Sequence, residues 1–189
     1  MLDGLRSRLA WNAALRAVRR RTGPTALRPL SQRCVLAVVP ADAERDVWDA
    51  LKQLDLPARQ LRLVALGMTS PPDAFAGAVQ VLDDRARDWR GLPIRLAADA
   101  WAFGPDVAIN FASPADPAAM LVVGASPASV RVSGHDPRSE AAYDLLTADT
   151  GGDRPDPAVL LRTLELIDPP LVPLRELPVR GSRGLPPRV

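Results

Sequence analysis

Apolar residues are arranged in two ways along the chain: as short unbroken runs, and at helical spacing between those runs. CVLAVVP (34–40) is continuous, apolar and rich in β-branched residues, the pattern of a strand buried on both faces. ADAERDVWDALKQL follows, with Asp42 placed to cap a helix, Val47, Leu51 and Leu54 recurring along one face, and Asp55-Leu56-Pro57 ending it. RLVALGM (62–68) predicts a second strand and AVQVL (78–82) a third, so strand, helix and strand form a right-handed parallel crossover. DVAINF (106–111) is another strand. Asp116 with Pro117 behind it caps and opens a short apolar helix, PAAMLVV, that stops at Gly124. SVRVS (129–133) is the next strand, and DPAVLLRTLELIDPP is a final helix capped by Asp156 and opened by Pro157. Within 83–105, Gly91 and Pro93 signal turns, and IRLAADAWAF fits a strand and a short helix equally well.

Ahead of the first strand, residues 2–21 hold Ala, Leu and Arg without proline and predict a helix. Leu2, Leu5 and Leu9 form one stripe, and Trp11, Leu15 and Val18 another almost opposite, with arginines between. Two stripes suit packing between two surfaces and not the single apolar face of a helix lying on a membrane. After residue 168 the chain is crowded with Pro, Gly and Arg and reads as extended. The expected fold class is therefore α/β: a single Rossmann-like domain with a mostly parallel sheet over 34–168. A basic N-terminal helix and linker (1–33) precede it, and a Pro/Gly/Arg-rich tail (169–189) follows.

Charge adds a division that the pattern does not show. Residues 1–33 hold eight Arg against Asp3 alone, a net +7; residues 34–170 carry −8, and residues 171–189 carry +3. An acidic body with basic ends points to an anionic partner for those ends, with Arg6, Arg8, Trp11, Arg16, Arg19, Arg20 and Arg21 as the candidate contacts. Apart from Lys52 every basic residue is arginine, whose fork suits phosphate and carboxylate. Cys34 is the only cysteine and His135 the only histidine, which excludes an intrachain disulfide and zinc sites built from Cys and His. No apolar run approaches the ~20 residues of a membrane span, and the basic start lacks the apolar core of a secretory signal. The expected location is cytoplasmic, peripheral to a membrane or a large complex.

Several chemistries lack their motifs. The turn after the first strand is Pro40-Ala41-Asp42, without the GxGxxG of a dinucleotide site; there is no GxxxxGK[ST], no HExxH and no GxSxG. No catalytic residue, cofactor or DNA sequence-reading motif is assigned. A ligand in an open α/β sheet lies beyond the carboxyl ends of its strands, where Asn110, Ser113 and Asp116 would face Asp42. The alternative is structural: Asp116 satisfies its own helix start, and Asn110 ties neighbouring loops. Asp83-Asp84 with Asp88 have the makings of a divalent-ion site, but the interleaved Arg85, Arg87 and Arg90 favour a solvated mixed-charge turn. His135 would need Asp136 or Asp144 to orient it as a base, and no nucleophile stands beside it. Cys34, Trp48, Trp89 and Trp101 read as core or rim packing.

Trp89, Gly91 and Pro93 as W-x-G-x-P, the segments DVAINF and ASPASVRVSG, and Tyr143-Asp144-Leu145 together resemble an uncharacterised bacterial domain-of-unknown-function family of short Rossmann-like proteins with a basic N-terminal helix. The resemblance spans most of residues 1–168. It implies no established activity; Arg131, Gly134, Tyr143 and Asp144 are the positions that match its pattern. More loosely, DVAINFASPADPAAMLVVGASPASVRVSG is similar to part of the acceptor domain of heptosyltransferase-type glycosyltransferases, enzymes that bind a nucleotide sugar through a second domain. The expected function is a non-catalytic module that docks through its basic ends onto a protein, ribonucleoprotein or anionic membrane, as a subunit of an assembly. The alternative is a small-molecule or nucleotide-sugar binder, or a degenerate transferase, using Asp42, Asn110, Ser113, Asp116, Arg131, Tyr143 and Asp144.

Overall fold

The computed structural model describes residues 2–21, 32–67, 71–75, 77–82, 84–148 and 153–167. The linker at 22–31, Asp83 and the proline-rich tail lie outside them. Six strands, β1 (Val35–Val39), β2 (Leu61–Ala65), β3 (Val79–Val81), β4 (Val107–Asn110), β5 (Val130–Gly134) and β6 (Leu145–Thr147), form one sheet in the order β3-β2-β1-β4-β5-β6. Every pairing is parallel. The expected Rossmann-like domain is present, and its sheet is fully rather than mostly parallel. β1 and β4 are buried along their whole length, which is why their sequences are unbroken apolar runs.

Helices cover both faces of the sheet. One face carries α2 (Arg45–Gln53) and α5 (Pro157–Ile167), packed over Val35, Ala37, Val39, Leu63 and Ile109. The other carries α1 (Leu2–Arg19), α3 (Ile94–Ala102) and α4 (Pro117–Ala119), packed over Leu36, Val38, Val64 and Ala108. α4 runs on without a break as a π-helical turn, Met120–Gly124, buried throughout. Its last carbonyls have no partner within the helix. The Trp101 indole N–H donates to Val122 O at 2.8 Å, and the Arg21 guanidinium to Gly124 O at 3.2 Å.

Several expectations need correction. α1 does not bury a leucine stripe on each side: Ala10, Ala14 and Val18 enter the core, while Leu5 is exposed. The reason is close approach. A Cβ on Gly124 would stand 3.3 Å from Val18 Cγ2 and 2.9 Å from Ala142 Cβ, so only small residues fit between α1 and the π turn. Asp42 does not cap α2; Glu44 occupies the N-cap without a side-chain bond, and Asp42 reaches Arg154 instead. The ambiguous segment after Pro93 is helix α3, because Ala97 and Ala100 fall on one face and the sheet accepts that face. β6, only three residues long, is too short to show any period.

Candidate functional site

At the carboxyl edge of the sheet, β1 and β4 lie side by side and the chain leaves them in opposite directions, the position where doubly wound proteins bind ligands. The crevice there, about 400 Å³, is lined by Glu44, Asp46, Val47, Phe111, Arg154, Pro155, Asp156 and Pro157. Its helix starts are already occupied by carboxylates. Asp46 Oδ1 accepts the Val47 N–H at 2.8 Å, and Asp156 Oδ1 accepts the Ala158 N–H at 2.8 Å. Arg154 pairs with Asp42 at 2.7 Å, and that bond holds the Asp42 carboxyl below its usual range. A phosphate entering this crevice would meet three carboxylates and one committed arginine.

The residues expected to line the crevice are placed apart: Asp42 is exposed and held by Arg154, Asp116 borders a separate recess with Arg6, and Asn110 turns into the core. Asn110 is fully buried, with Nδ2 shared among Ser113 O at 3.3 Å, Ser133 Oγ at 3.1 Å and Tyr143 Oη at 3.2 Å. Its Oδ1 accepts the Ala112 N–H at 2.9 Å, and Tyr143 Oη donates to Pro114 O at 3.2 Å. Burial pushes the Tyr143 phenol well above its ordinary value, so it stays neutral and acts as a donor. This knot ties the exits of β4 and β5 to the entry of β6. Asp116 Oδ1 accepts the Ala118 and Ala119 N–H groups at 2.7 and 3.0 Å, as a helix cap.

Arg131 and Asp144 belong to a second buried cluster. Nε and Nη2 of Arg131 donate to Ser126 O at 3.1 and 2.7 Å, and Nη1 donates to Asp144 Oδ2 at 2.8 Å. Burial lowers the Arg131 pKa and the bond to Asp144 opposes that shift, leaving the guanidinium charged. Arg21 joins from just past the end of α1, its Nη2 at 3.2 Å from Asp144 Oδ1 and its Nη1 at 2.9 Å from Ala142 O. Arg21, one of the residues expected to meet a partner, makes bonds here that fasten the end of α1 to the body. His135 meets Glu140 at 2.8 Å, and neither Asp136 nor Asp144 orients it.

The remaining arginines of α1 face outward. Arg6, Arg8, Arg16, Arg19 and Arg20 are exposed, and none of their guanidinium groups pairs with another described residue. Half-buried Trp11 borders an open groove of about 530 Å³ with Ser7, Arg8, Asn12, Ala115, Pro117 and Arg138. On the other flank of Ser7 a recess of about 200 Å³ brings Arg6 against Arg87, Arg90 and Gly91. Arg87 is held there by its bonds to Gly91 O at 2.9 Å and Leu66 O at 3.0 Å. Sequence reasoning assigned neither Arg90 nor Arg138 to this surface; the arginines interleaved through 85–90 were the available signal. Trp89, expected in the core or at its rim, is 69% exposed.

Among the described residues no group of His, Cys, Asp and Glu is arranged to hold a metal ion, and no helix is long and apolar enough to cross a membrane. What this surface offers chemically is a row of exposed arginines along α1, flanked by Arg90 and Arg138, which pair with Asp88 and Asp136. No family model matches the chain, and neither does any curated protein or solved structure.

Proposed function

We propose that the protein is a non-catalytic docking module whose α1 presents an arginine face to an anionic macromolecular surface, as part of a larger cytoplasmic assembly. The observation that carries this reading is the set of five exposed arginines, Arg6, Arg8, Arg16 and Arg19 on α1 and Arg20 just past its end, without carboxylate partners among the described residues, while the inner side of the helix lies in the core. Arg6 to Arg20 spans about 21 Å at the helical rise of about 1.5 Å per residue. The core contacts of α1 come from Ala10, Ala14 and Val18, with Trp11 and Leu15 packed beside them, and none of the five arginines belongs to that core. A field of one sign speeds encounter with the opposite sign and weakens as salt screens it.

The test is retention on an immobilised polyanion as salt is raised, for the wild type and for R8E/R16E/R19E. The variant should elute at markedly lower salt with an unchanged thermal midpoint. Equal elution of the two proteins would remove the reading.

A further inference from the structure

Three large apolar side chains stand exposed among the described residues: Leu5 at 56%, Trp89 at 69% and Ile94 at 46%. Trp89 and Ile94 flank the turn into α3, and Leu5 adjoins Arg6, whose guanidinium lies 3.7 Å from where a Cβ on Gly91 would stand. Each of the three is followed directly by an arginine: Leu5-Arg6, Trp89-Arg90 and Ile94-Arg95.

The turn that lifts Trp89 out is rigidly built. Asp88 Oδ1 accepts the N–H groups of Arg90 and Leu92, each at 2.9 Å, the Gly91 N–H donates to Asp88 O at 2.8 Å, and Gly91 takes a φ of +90°. The Arg90 guanidinium sits 5.7 Å from the Trp89 ring centre and pairs with Asp88 at 2.7 Å.

We infer that the anionic surface is a lipid bilayer, and that Leu5, Trp89 and Ile94 enter its headgroup layer while Arg6 and Arg95, exposed and without a carboxylate partner among the described residues, engage lipid phosphates. This rests on the reading of α1 as an anion-docking face. Nucleic acid would use the arginines, but Leu5 and Ile94 add nothing to a phosphate backbone, and Arg90 lies over the indole that a base would stack on. A protein partner calls for a contiguous apolar centre with charge at its rim. Here only three large apolar side chains are exposed among the described residues, each followed by an arginine. A bilayer interface accepts such pairs, since indole and aliphatic groups settle at the acyl boundary and guanidinium groups at the phosphates. Juxtamembrane arginines add attraction to an anionic leaflet.

The experiment is vesicle co-sedimentation of the full chain with phosphatidylcholine alone and with phosphatidylcholine containing phosphatidylserine, with polyanion retention measured in parallel. The wild type should bind only the anionic vesicles, and L5S/W89A/I94S should bind them at least about tenfold more weakly while keeping its thermal midpoint and its polyanion retention. Brominated acyl chains should quench tryptophan emission of the wild type more than that of W89F, which reports insertion without relying on the triple variant. Vesicle binding that is absent, or unchanged in the triple variant, overturns the lipid assignment. If R8E/R16E/R19E still shifts polyanion elution in that case, the docking face stands and its partner is an RNA or an acidic protein. If that variant elutes with the wild type, both readings fall.

Discussion

Arg131 carries a full charge into a place from which water is excluded, with the Ser126 carbonyl and the Asp144 carboxylate as its neighbours. Burying an ion is tolerable only while its partner stays, so Asp144→Ala should lower stability by about 3–5 kcal/mol, read as a fall in the urea midpoint. R131M/D144A, which removes the charge with its partner, should recover a substantial part of that loss; a double variant as unstable as the single one would refute the account. Asp88 gives a pH-dependent counterpart. Burial raises its pKa, but the bonds from the Leu92 and Arg90 N–H groups and the Arg90 guanidinium outweigh that, and the net shift is downward. A carboxylate depressed in the folded state stabilises above its unfolded value of about 4 and loses that contribution as pH falls through the folded value. Asp88→Ala should therefore cost about 1–2 kcal/mol at neutral pH, and the gap from wild type in thermal melts should narrow below pH ~4. These roles were only partly legible: Asp116 and Asp156 cap as their Pro-following pattern indicates, whereas nothing local to Asn110, Arg131 or Asp144 reveals partners up to 123 residues away.

At the scale of elements, the strands announced themselves and the inner side of α1 did not. β1 and β4 are apolar at every position because both faces of the sheet are covered, a condition that writes itself into adjacent residues. α1 carries large apolar residues on several sides, and the face that docks is set by the surface it meets. That surface is tight. At Gly124 an added Cβ would stand 2.9 Å from Ala142 Cβ and 3.1 Å from Ala142 O, a carbonyl that cannot swing aside. Gly124→Ala should destabilise by about 1–3 kcal/mol, as should Ala14→Leu on the facing helix, both measurable by denaturant unfolding. Trp89 misled for a related reason: tryptophan is usually largely buried, but the backbone bonds of its turn hold it outward.

For the molecule as a whole, helix α1 is packed into the α/β body and is not an arm attached to it. Ala10, Ala14 and Val18 share one core with Leu36, Val38 and Met120. Removing residues 2–21 should leave a chain with a sharply lowered, less cooperative thermal transition, whereas loss of a detachable arm would leave the midpoint unchanged; circular dichroism melts distinguish the two. Docking is for that reason best dissected by exchanging surface charges. The acidic crevice and the arginine face put opposite potentials on one small domain, and binding of anions should be confined to the second. The stitch made by Arg21 has a consequence for synthesis. Its acceptors, Gly124, Ala142 and Asp144, lie 103, 121 and 123 residues downstream. A ribosome adding about 5–20 residues per second takes about 6–25 s to supply them. Through that interval the first helix emerges without the surface it belongs to, its arginines available to any nearby polyanion, and the domain closes only once its last third has been translated.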